Sequence, residues 1–267
     1  MENNEKYALV TGSSDGIGKE LARLFAGDKY NLILVARHQE GLEQTAQELR
    51  AAYGIEVKTI AKDLSLRESP FEVYDEVKQL GLHVDVLVNN AGQGAYGEFK
   101  DIDINRELDI VQLNIGSYIA LTSCFLQDML QQGTGKILNV GSIAGQAPGP
   151  LQAVYHGTKA FVNTWSSSIW YELKDKNIHV SLLLPGPTDT DFFNKAEMNE
   201  SRMVQDMPLS DPAAVAKDGY DALMSGDDKI ISGFRNKVQV GMANLQPDSM
   251  AAATMYKQQK PVEKKDE

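Results

Sequence analysis

Cysteine is all but missing from this sequence. Cys124 stands alone among 267 residues, which excludes an internal disulfide and fits a reducing compartment. Histidine is sparse, and His38, His83, His156 and His179 show no metal-ligand spacing with Cys124 or each other, so no metal site is expected. Basic residues are in the minority. With 26 Lys and Arg against 37 Asp and Glu the net charge is -11, and the average field repels a phosphate backbone, so no nucleic-acid partner is expected. No apolar run reads as long enough to span a bilayer, so no membrane partner is expected. The start, Met1 to Lys6, is acidic and lacks an apolar signal core; with the lone cysteine, it predicts a cytoplasmic location.

What is present reads as an ordinary globular chain. Hydrophobic residues make up 42% and charged residues 24%, which excludes wholesale disorder and suffices for one large core. Residues 1–256 are expected to form a single domain, and the charged, Pro-containing stretch 257–267 a frayed tail. No internal repeat occurs.

Short apolar runs rich in Val, Ile and Leu occupy 7–11, 32–36, 55–60, 84–88, 136–140, 178–184 and 229–232. Such runs suit strands buried on both faces. Helical patterns lie between them, as at 18–26 and 39–53. The alternation predicts an α/β fold, a doubly wound parallel sheet of about seven strands with helices on both faces. The longer helical stretches 105–131 and 152–174 carry Leu113, Tyr118, Phe125, Leu126, Phe161, Trp165, Trp170 and Tyr171 on more than one face. That surplus serves either a thick internal core or contact with another subunit. Residues 189–211 show no clear period and hold Phe192, Phe193, Met198, Met203 and Met207, which suits a mobile lid over an apolar pocket.

The first strand runs into Thr11-Gly-Ser-Ser-Asp-Gly-Ile-Gly18, just before a helix. Glycines at 12, 16 and 18 permit a tight turn and bring backbone N–H groups close to a pyrophosphate, where the helix N-terminus adds its positive end. The spacing differs from the common G-x-G-x-x-G, and a plain turn is the competing reading. No Gly-Lys-Ser/Thr follows, so a nucleoside-triphosphate loop is disfavoured.

Tyr155 and Lys159 stand four residues apart, on one helix face. An ammonium beside a phenol stabilises the phenolate and is expected to lower the Tyr155 pKa toward neutrality, where it exchanges protons with an alcohol or carbonyl oxygen. Tyr74 with Lys78 and Tyr256 with Lys260 share the spacing, but neither has a hydroxyl residue just past an upstream buried strand. Tyr155 has Ser142, and strand ends in open parallel sheets are where ligands bind. His156 is expected to be a bystander, because adjacent helix residues point apart.

Taken in order, Thr11-Gly-x-x-x-Gly-Ile-Gly18, Asn89-Asn-Ala-Gly92, Asn114, Ser142, Tyr155-x-x-x-Lys159 and Pro185-Gly-Pro-Thr188 resemble the short-chain dehydrogenase/reductase family over roughly residues 6–235. The local wording is similar to bacterial oxidoreductases of broad substrate range. The resemblance implies a Rossmann-type fold, a homodimer or homotetramer built through the two long helices, a small-molecule carbonyl or alcohol substrate, and residue roles. Tyr155 is then the general acid, Lys159 holds the nicotinamide ribose, Ser142 bonds the substrate oxygen, and Asn114 anchors a relay water. Gly12, Ser13, Ser14, Gly16, Ile17 and Gly18 line the cofactor phosphates. Asn90, Ala91 and Gly92 line its adenosine side, Asp63 and Leu64 meet the adenine, and Thr188 meets the carboxamide.

The cofactor expected is NADP(H). The second strand ends at Ala36, without the Asp or Glu that accepts from a ribose 2′-OH. Arg37 follows and offers a planar donor fork to a 2′-phosphate; a solvated surface charge is the alternative. Asp15 is expected to point to solvent. Gln93, Ile143, Ala144, Gln152, Phe192 and Phe193 are the expected substrate-pocket residues. Two other readings compete with the oxidoreductase: a dinucleotide-sensing regulator without turnover, and a sugar epimerase or dehydratase. The regulator has no need of Asn114, Ser142, Tyr155 and Lys159 together. The epimerase needs a larger C-terminal substrate domain than the residues after 232 provide.

Overall fold

Strand β1 (Tyr7–Thr11) is buried at every position and pairs in parallel with two neighbours. In the computed structural model, which describes residues 5–243 and 246–262, β2 (Asn31–Ala36) lies on one side of it and β3 (Val57–Ala61) beyond. On the other side come β4 (Val86–Asn89), β5 (Gly135–Val140), β6 (Ile178–Leu184) and β7 (Lys229–Ile231). All pairs are parallel, and the order is β3-β2-β1-β4-β5-β6-β7. This is the doubly wound single-sheet α/β domain expected from the apolar runs.

Alternation along the strands feeds two cores. Ala8, Val10, Leu32 and Leu34 face α1 (Gly16–Gly27), α2 (Gln39–Tyr53) and, farther along the chain, the helix Pro212–Ser225. Tyr7, Leu9, Ile33 and Val35 face the other side, toward α3 (Ser69–Gln79) and the long helical stretch after β4. Each large side chain so buried contributes roughly 1.5–3 kcal/mol.

That long stretch is α4 (Ile104–Val111), a π turn over Gln112–Gly116, and α5 (Ser117–Gln132). By length and composition alone Ile104–Gln132 is long and apolar enough to cross a membrane, which corrects the expectation that no segment qualifies. In this fold Leu113, Leu121, Phe125 and Met129 from it pack into the second core. Most of the surplus apolar surface is therefore internal. Ile104, Leu108, Val111 and Ile119 remain exposed, as do Phe161 and Tyr171 on α6 (Ala153–Leu173).

After β6 the chain forms two short helices, α7 (Phe192–Lys195) and α8 (Arg202–Asp206), then α9 (Pro212–Ser225). Phe193, Ala196 and Met198 are buried in a small core of their own, with Tyr96, Met203 and Leu209 against it. The aperiodic stretch is thus a packed flap. It is also stitched to the chain end: after α10 (Phe234–Ala243) and α11 (Asp248–Gln259), the Arg202 N–H donates to the Lys260 carbonyl (3.1 Å) and the Val262 N–H to the Glu200 carbonyl (3.0 Å). The frayed tail expected from 257 onward differs from the structure here, because Lys257 to Gln259 close α11 and Gln259 is fully buried. Residues 263–267 lie outside the described residues.

Candidate active site

The strand order reverses between β1 and β4, and a cleft opens at their carboxyl ends, where open parallel sheets take ligands. Thr11 joins the two strands: its hydroxyl donates to the Val88 carbonyl (3.1 Å) and accepts from the N–H groups of Asn90 and Ala91 (2.9 and 3.0 Å). The Asn90 amide donates to the carbonyls of Thr11 and Gly12 (2.9 and 3.1 Å), fastening the glycine turn from below.

The turn leaves no room for side chains. Gly12 has φ +66°, and a Cβ there would lie 2.9 Å from the Ala91 Cα; one at Gly18 would lie 2.2 Å from the Gly12 carbonyl oxygen. Gly12, Ser14, Gly16 and Ile17 line the cleft. Ser13 is buried, and its hydroxyl has no hydrogen-bond partner. Asp15 is exposed and caps α1, accepting from the Gly16 N–H at 2.7 Å.

At one end of the cleft Ala36, Arg37, Lys62 and Leu64 form the wall. Lys62 is paired with Glu72 at 2.7 Å, whereas Arg37 is exposed and has no ion pair among the described residues. Asp63 does not line the cleft: its carboxylate accepts from the N–H and hydroxyl of Ser65 (3.0 and 2.8 Å) and shapes the turn after β3. Asn90, Ala91 and Gly92 form the floor, and Thr188, buried with its hydroxyl on the Gly186 carbonyl (2.9 Å), forms part of the far wall.

At the other end of the cleft, which encloses about 290 Å³ in all, Ser142, Tyr155 and Lys159 come together. Ser142 follows β5 and accepts from the Ala144 N–H (3.0 Å). Tyr155 sits in the first turn of α6. Loss of water pushes its pKa up to about 12, and a hydrogen bond with Ser142 works the other way. Lys159 is buried and pushed down to about 8 by the same loss of water. The Tyr155 pKa therefore runs opposite to the depression expected from the spacing. In the chain alone, desolvation outweighs any help from the ammonium.

Asn114 lies in the π turn, a distortion frequent at functional sites. Its amide nitrogen donates to the Gln93 carbonyl and the Thr158 hydroxyl, and its oxygen accepts from the Gln93 N–H, all at 2.9 Å. A Cβ on Gly92 would sit 3.4 Å from both Asn114 Oδ1 and Lys159 Nζ, so these groups close in on one point.

All six expected pocket residues, Gln93, Ile143, Ala144, Gln152, Phe192 and Phe193, line the cleft. The Phe192 ring lies 5.1 Å from that of Tyr155. Met203 and Met207 from the flap line it too, with Met255 and Gln259 from α11. The last two were missed, because nothing in a Met- and Gln-containing chain end distinguishes a wall from a surface. His156 is no bystander. It is buried, with Nδ1 2.9 Å from the Ala147 carbonyl and Nε2 3.1 Å from the Gln259 amide. Near the start of α6, the flap and the loop after β5 wall the helix on two sides, so adjacent residues both face inward.

Comparison with known proteins places this architecture. The family described as short chain dehydrogenase matches residues 6–201. A very-long-chain 3-oxoacyl-CoA reductase of Anas platyrhynchos is 38% identical over 185 residues, 67% of this chain and 58% of that protein. A short-chain dehydrogenase of Sphingobium yanoikuyae, solved in complex with NADPH, superposes with a TM-score of 0.80 at 26% identity, over 91% of this chain and 96% of that one. L-Sorbose reductase of Gluconobacter frateurii, solved with NADPH and L-sorbose, gives 0.77 at 25% identity over 86% and 96%.

The chain spans 51 to 60% of the length of the curated relatives it matches. Those relatives overturn the expected cytoplasmic location. They are named for very-long-chain acyl substrates, which favour a lipid phase by about 0.8 kcal/mol per buried CH₂, so a lone cysteine and an acidic start do not support a cytoplasmic assignment. With a seven-stranded switch-point sheet, the glycine turn, and Ser142, Tyr155 and Lys159 on one cleft, the chain belongs to the short-chain dehydrogenase family.

Proposed function

We propose that this protein interconverts a carbonyl compound and an alcohol with a nicotinamide cofactor, NADP(H) in preference to NAD(H), and that Tyr155 moves the proton. The observation that carries this reading is one continuous cleft from Arg37, past the glycine turn, to Ser142, Tyr155 and Lys159. The residues fit a dinucleotide. Side chains are excluded at Gly12 and Gly18, and the buried Ser13 hydroxyl waits without a partner.

Gly12, Ser13, Ser14, Gly16, Ile17 and Gly18 would hold the phosphates at the α1 N-terminus, and Arg37 the 2′-phosphate. Leu64, with Asp63 acting through its turn, would border the adenine, Asn90, Ala91 and Gly92 the adenosine side, Lys159 the ribose, and Thr188 the carboxamide. The bound cofactor supplies or accepts the hydride. Ser142 donates a hydrogen bond to the substrate oxygen, and the Tyr155 hydroxyl gives that oxygen its proton in reduction and recovers it in oxidation. Lys159 in its charged form favours the phenolate. Asn114 holds Gln93 and Thr158 in place; both its amide hydrogens are used, and its oxygen keeps one lone pair for a relay water.

The names of the relatives make a 3-oxoacyl thioester the first substrate to test, and Phe192, Phe193, Met203 and Met207 suit its acyl chain. Oxidation of NADPH and of NADH with a panel of ketones and 3-oxoacyl thioesters tests the reading. Turnover faster with NADPH is expected. Tight dinucleotide binding with no turnover across the panel would instead favour the sensing role.

A further inference from the structure

Beyond the reacting groups, a second polar cluster lies at the substrate end of the cleft. Gln152, His156 and Gln259 all line it. They come from the start of α6 and the end of α11, and each is at least nine-tenths buried: Gln152 is 4% exposed, His156 4% and Gln259 0%.

Their hydrogens can be assigned by elimination. The Ala147 carbonyl can only accept, so His156 Nδ1, 2.9 Å away, carries the proton. Burial holds the imidazole below its usual pKa, so it is neutral and Nε2 is an acceptor. The Gln259 amide nitrogen lies 3.1 Å from that Nε2 and 3.2 Å from Gln152 Oε1. Both its hydrogens are therefore used, and its orientation is determined. A flipped Gln259 would put an oxygen against an imidazole acceptor.

Two atoms are left over. Gln259 Oε1 has no donor, and Gln152 Nε2 has no acceptor for either hydrogen. Buried polar atoms without partners are disfavoured and rare. Both residues line the cleft, and the Gln152 amide lies close to the reacting end. A Cβ built on Gly94 would stand 3.5 Å from Gln152 Nε2 and 3.4 Å from the Tyr155 ring. The cluster is held from behind. The Tyr96 hydroxyl donates to the Gln259 carbonyl at 2.6 Å, and a Cβ at Gly149 would overlap the His156 ring at 2.1 Å.

We propose that Gln152 and Gln259 form a specificity pair that recognises, beside the reacting carbonyl, a substrate group able both to accept and to donate a hydrogen bond: a hydroxyl or a secondary amide. The Gln152 amide donates to that group's oxygen, and Gln259 Oε1 accepts its O–H or N–H. His156 is a positioning residue that orients the Gln259 amide. This rests on the carbonyl-reducing reading of the cleft, but adds a demand on the substrate which that reading lacks. A site built to bond such a group discriminates against the analogue without it, because the buried pair is then left unmet.

The test compares hydroxyacetone, N-methylacetoacetamide and butanone as substrates of the cofactor-loaded protein and of its Gln152→Met and Gln259→Met variants. The wild type should prefer one or both polar ketones over butanone in kcat/KM. Either Met variant should reduce that preference roughly 10- to 100-fold, mainly through KM. A preference for hydroxyacetone alone assigns a hydroxyl, and one for the amide alone assigns an amide. NMR titration of the wild-type glutamine side-chain amides with the same three probes supplies a readout independent of turnover and of how the variants fold. The Gln152 and Gln259 signals should move with the polar ketones and stay still with butanone. No turnover of any ketone, with those signals moving, refutes the carbonyl-reducing reading and leaves the pair standing. Equal response to all three probes in both measurements overturns the pair.

Discussion

Lys159 Nζ donates to the carbonyl oxygen of Val140 at 2.9 Å, tying the second turn of α6 to the last residue of β5. The centroid of the Tyr118 ring lies 5.6 Å from the same nitrogen. Removal from water lowers the Lys159 pKa from 10.5 to about 8, a penalty on the charged form of roughly 3 kcal/mol. Between those values the folded chain binds fewer protons than the unfolded one, so this group's contribution to stability rises with pH. Below pH 8 the full penalty is present; it is relieved as pH climbs from about 8 through 10.5. Chemical denaturation of wild type and Lys159→Met should therefore show wild type gaining on the variant between pH 7 and pH 10. A gap that stays constant with pH would show that the buried ammonium is not strained.

The Tyr155 hydroxyl, pushed up to about 12, stays protonated across the working range in the chain alone. In the proposed reaction, reduction draws on the phenol and oxidation on the phenolate. Alcohol oxidation should accordingly rise with pH more steeply than ketone reduction. Tyr155→Phe should lower kcat by about 10²–10⁴-fold, the usual contribution of a general acid or base, and leave cofactor affinity nearly intact. Steady-state rates paired with fluorescence titration of the cofactor separate the two effects. A variant turning over at the wild-type rate would remove Tyr155 from the chemistry.

Much of this was legible from local demands. The glycine turn reads from sequence because a close backbone approach tolerates no Cβ at Gly12 or Gly18. Strands β1, β2, β5 and β6 read as continuous apolar runs because both faces are covered. β3 and β4 begin two residues later than their runs suggest, since Ile55 and Val84 pack in the approach to the sheet without pairing in it. The substrate end was harder. α11 shows no one-sided apolar stripe because it closes the mouth of a cleft instead of lying on the sheet. Gln259 is buried by partners more than a hundred residues away, Gln152 and His156, a pairing no local pattern encodes. The π turn that places Asn114 falls within the helical stretch expected over 105–131, since one widened turn leaves no mark on the apolar pattern.

The exposed apolar face predicts self-association. Ile104, Leu108 and Val111 share one face of α4, with Ile119 on α5 and Phe161 and Tyr171 on α6; Leu108 is 58% exposed and Tyr171 62%. An isologous contact through these helices would cover them on both copies at once. Light scattering at micromolar concentration should report a dimer or tetramer, and Leu108→Glu should shift it toward the 29.4 kDa monomer. A monomeric wild type would mean that this face has another use.

The proposed preference for NADP(H) rests on Arg37. β2 ends at Ala36, which has no carboxylate to accept from a ribose 2′-OH. Arg37 stands next to it at the cleft wall, exposed and without an ion pair among the described residues, while its neighbour Lys62 is already held by Glu72 at 2.7 Å. Asp15, which also lines the cleft, is a carboxylate that could oppose a 2′-phosphate. It is exposed and engaged in capping α1 through the Gly16 N–H, so its charge is partly met by the helix end. A charge-assisted hydrogen bond contributes roughly 1.5–3 kcal/mol, which translates to a preference of about 10- to 100-fold. Arg37→Ala should remove that margin by weakening NADPH while sparing NADH. Arg37→Asp should go further: its carboxylate repels the 2′-phosphate and accepts from the 2′-OH, so the order of preference should reverse. Titration calorimetry of both cofactors against the three proteins measures this directly, and equal wild-type affinity for NADPH and NADH would refute the role of Arg37.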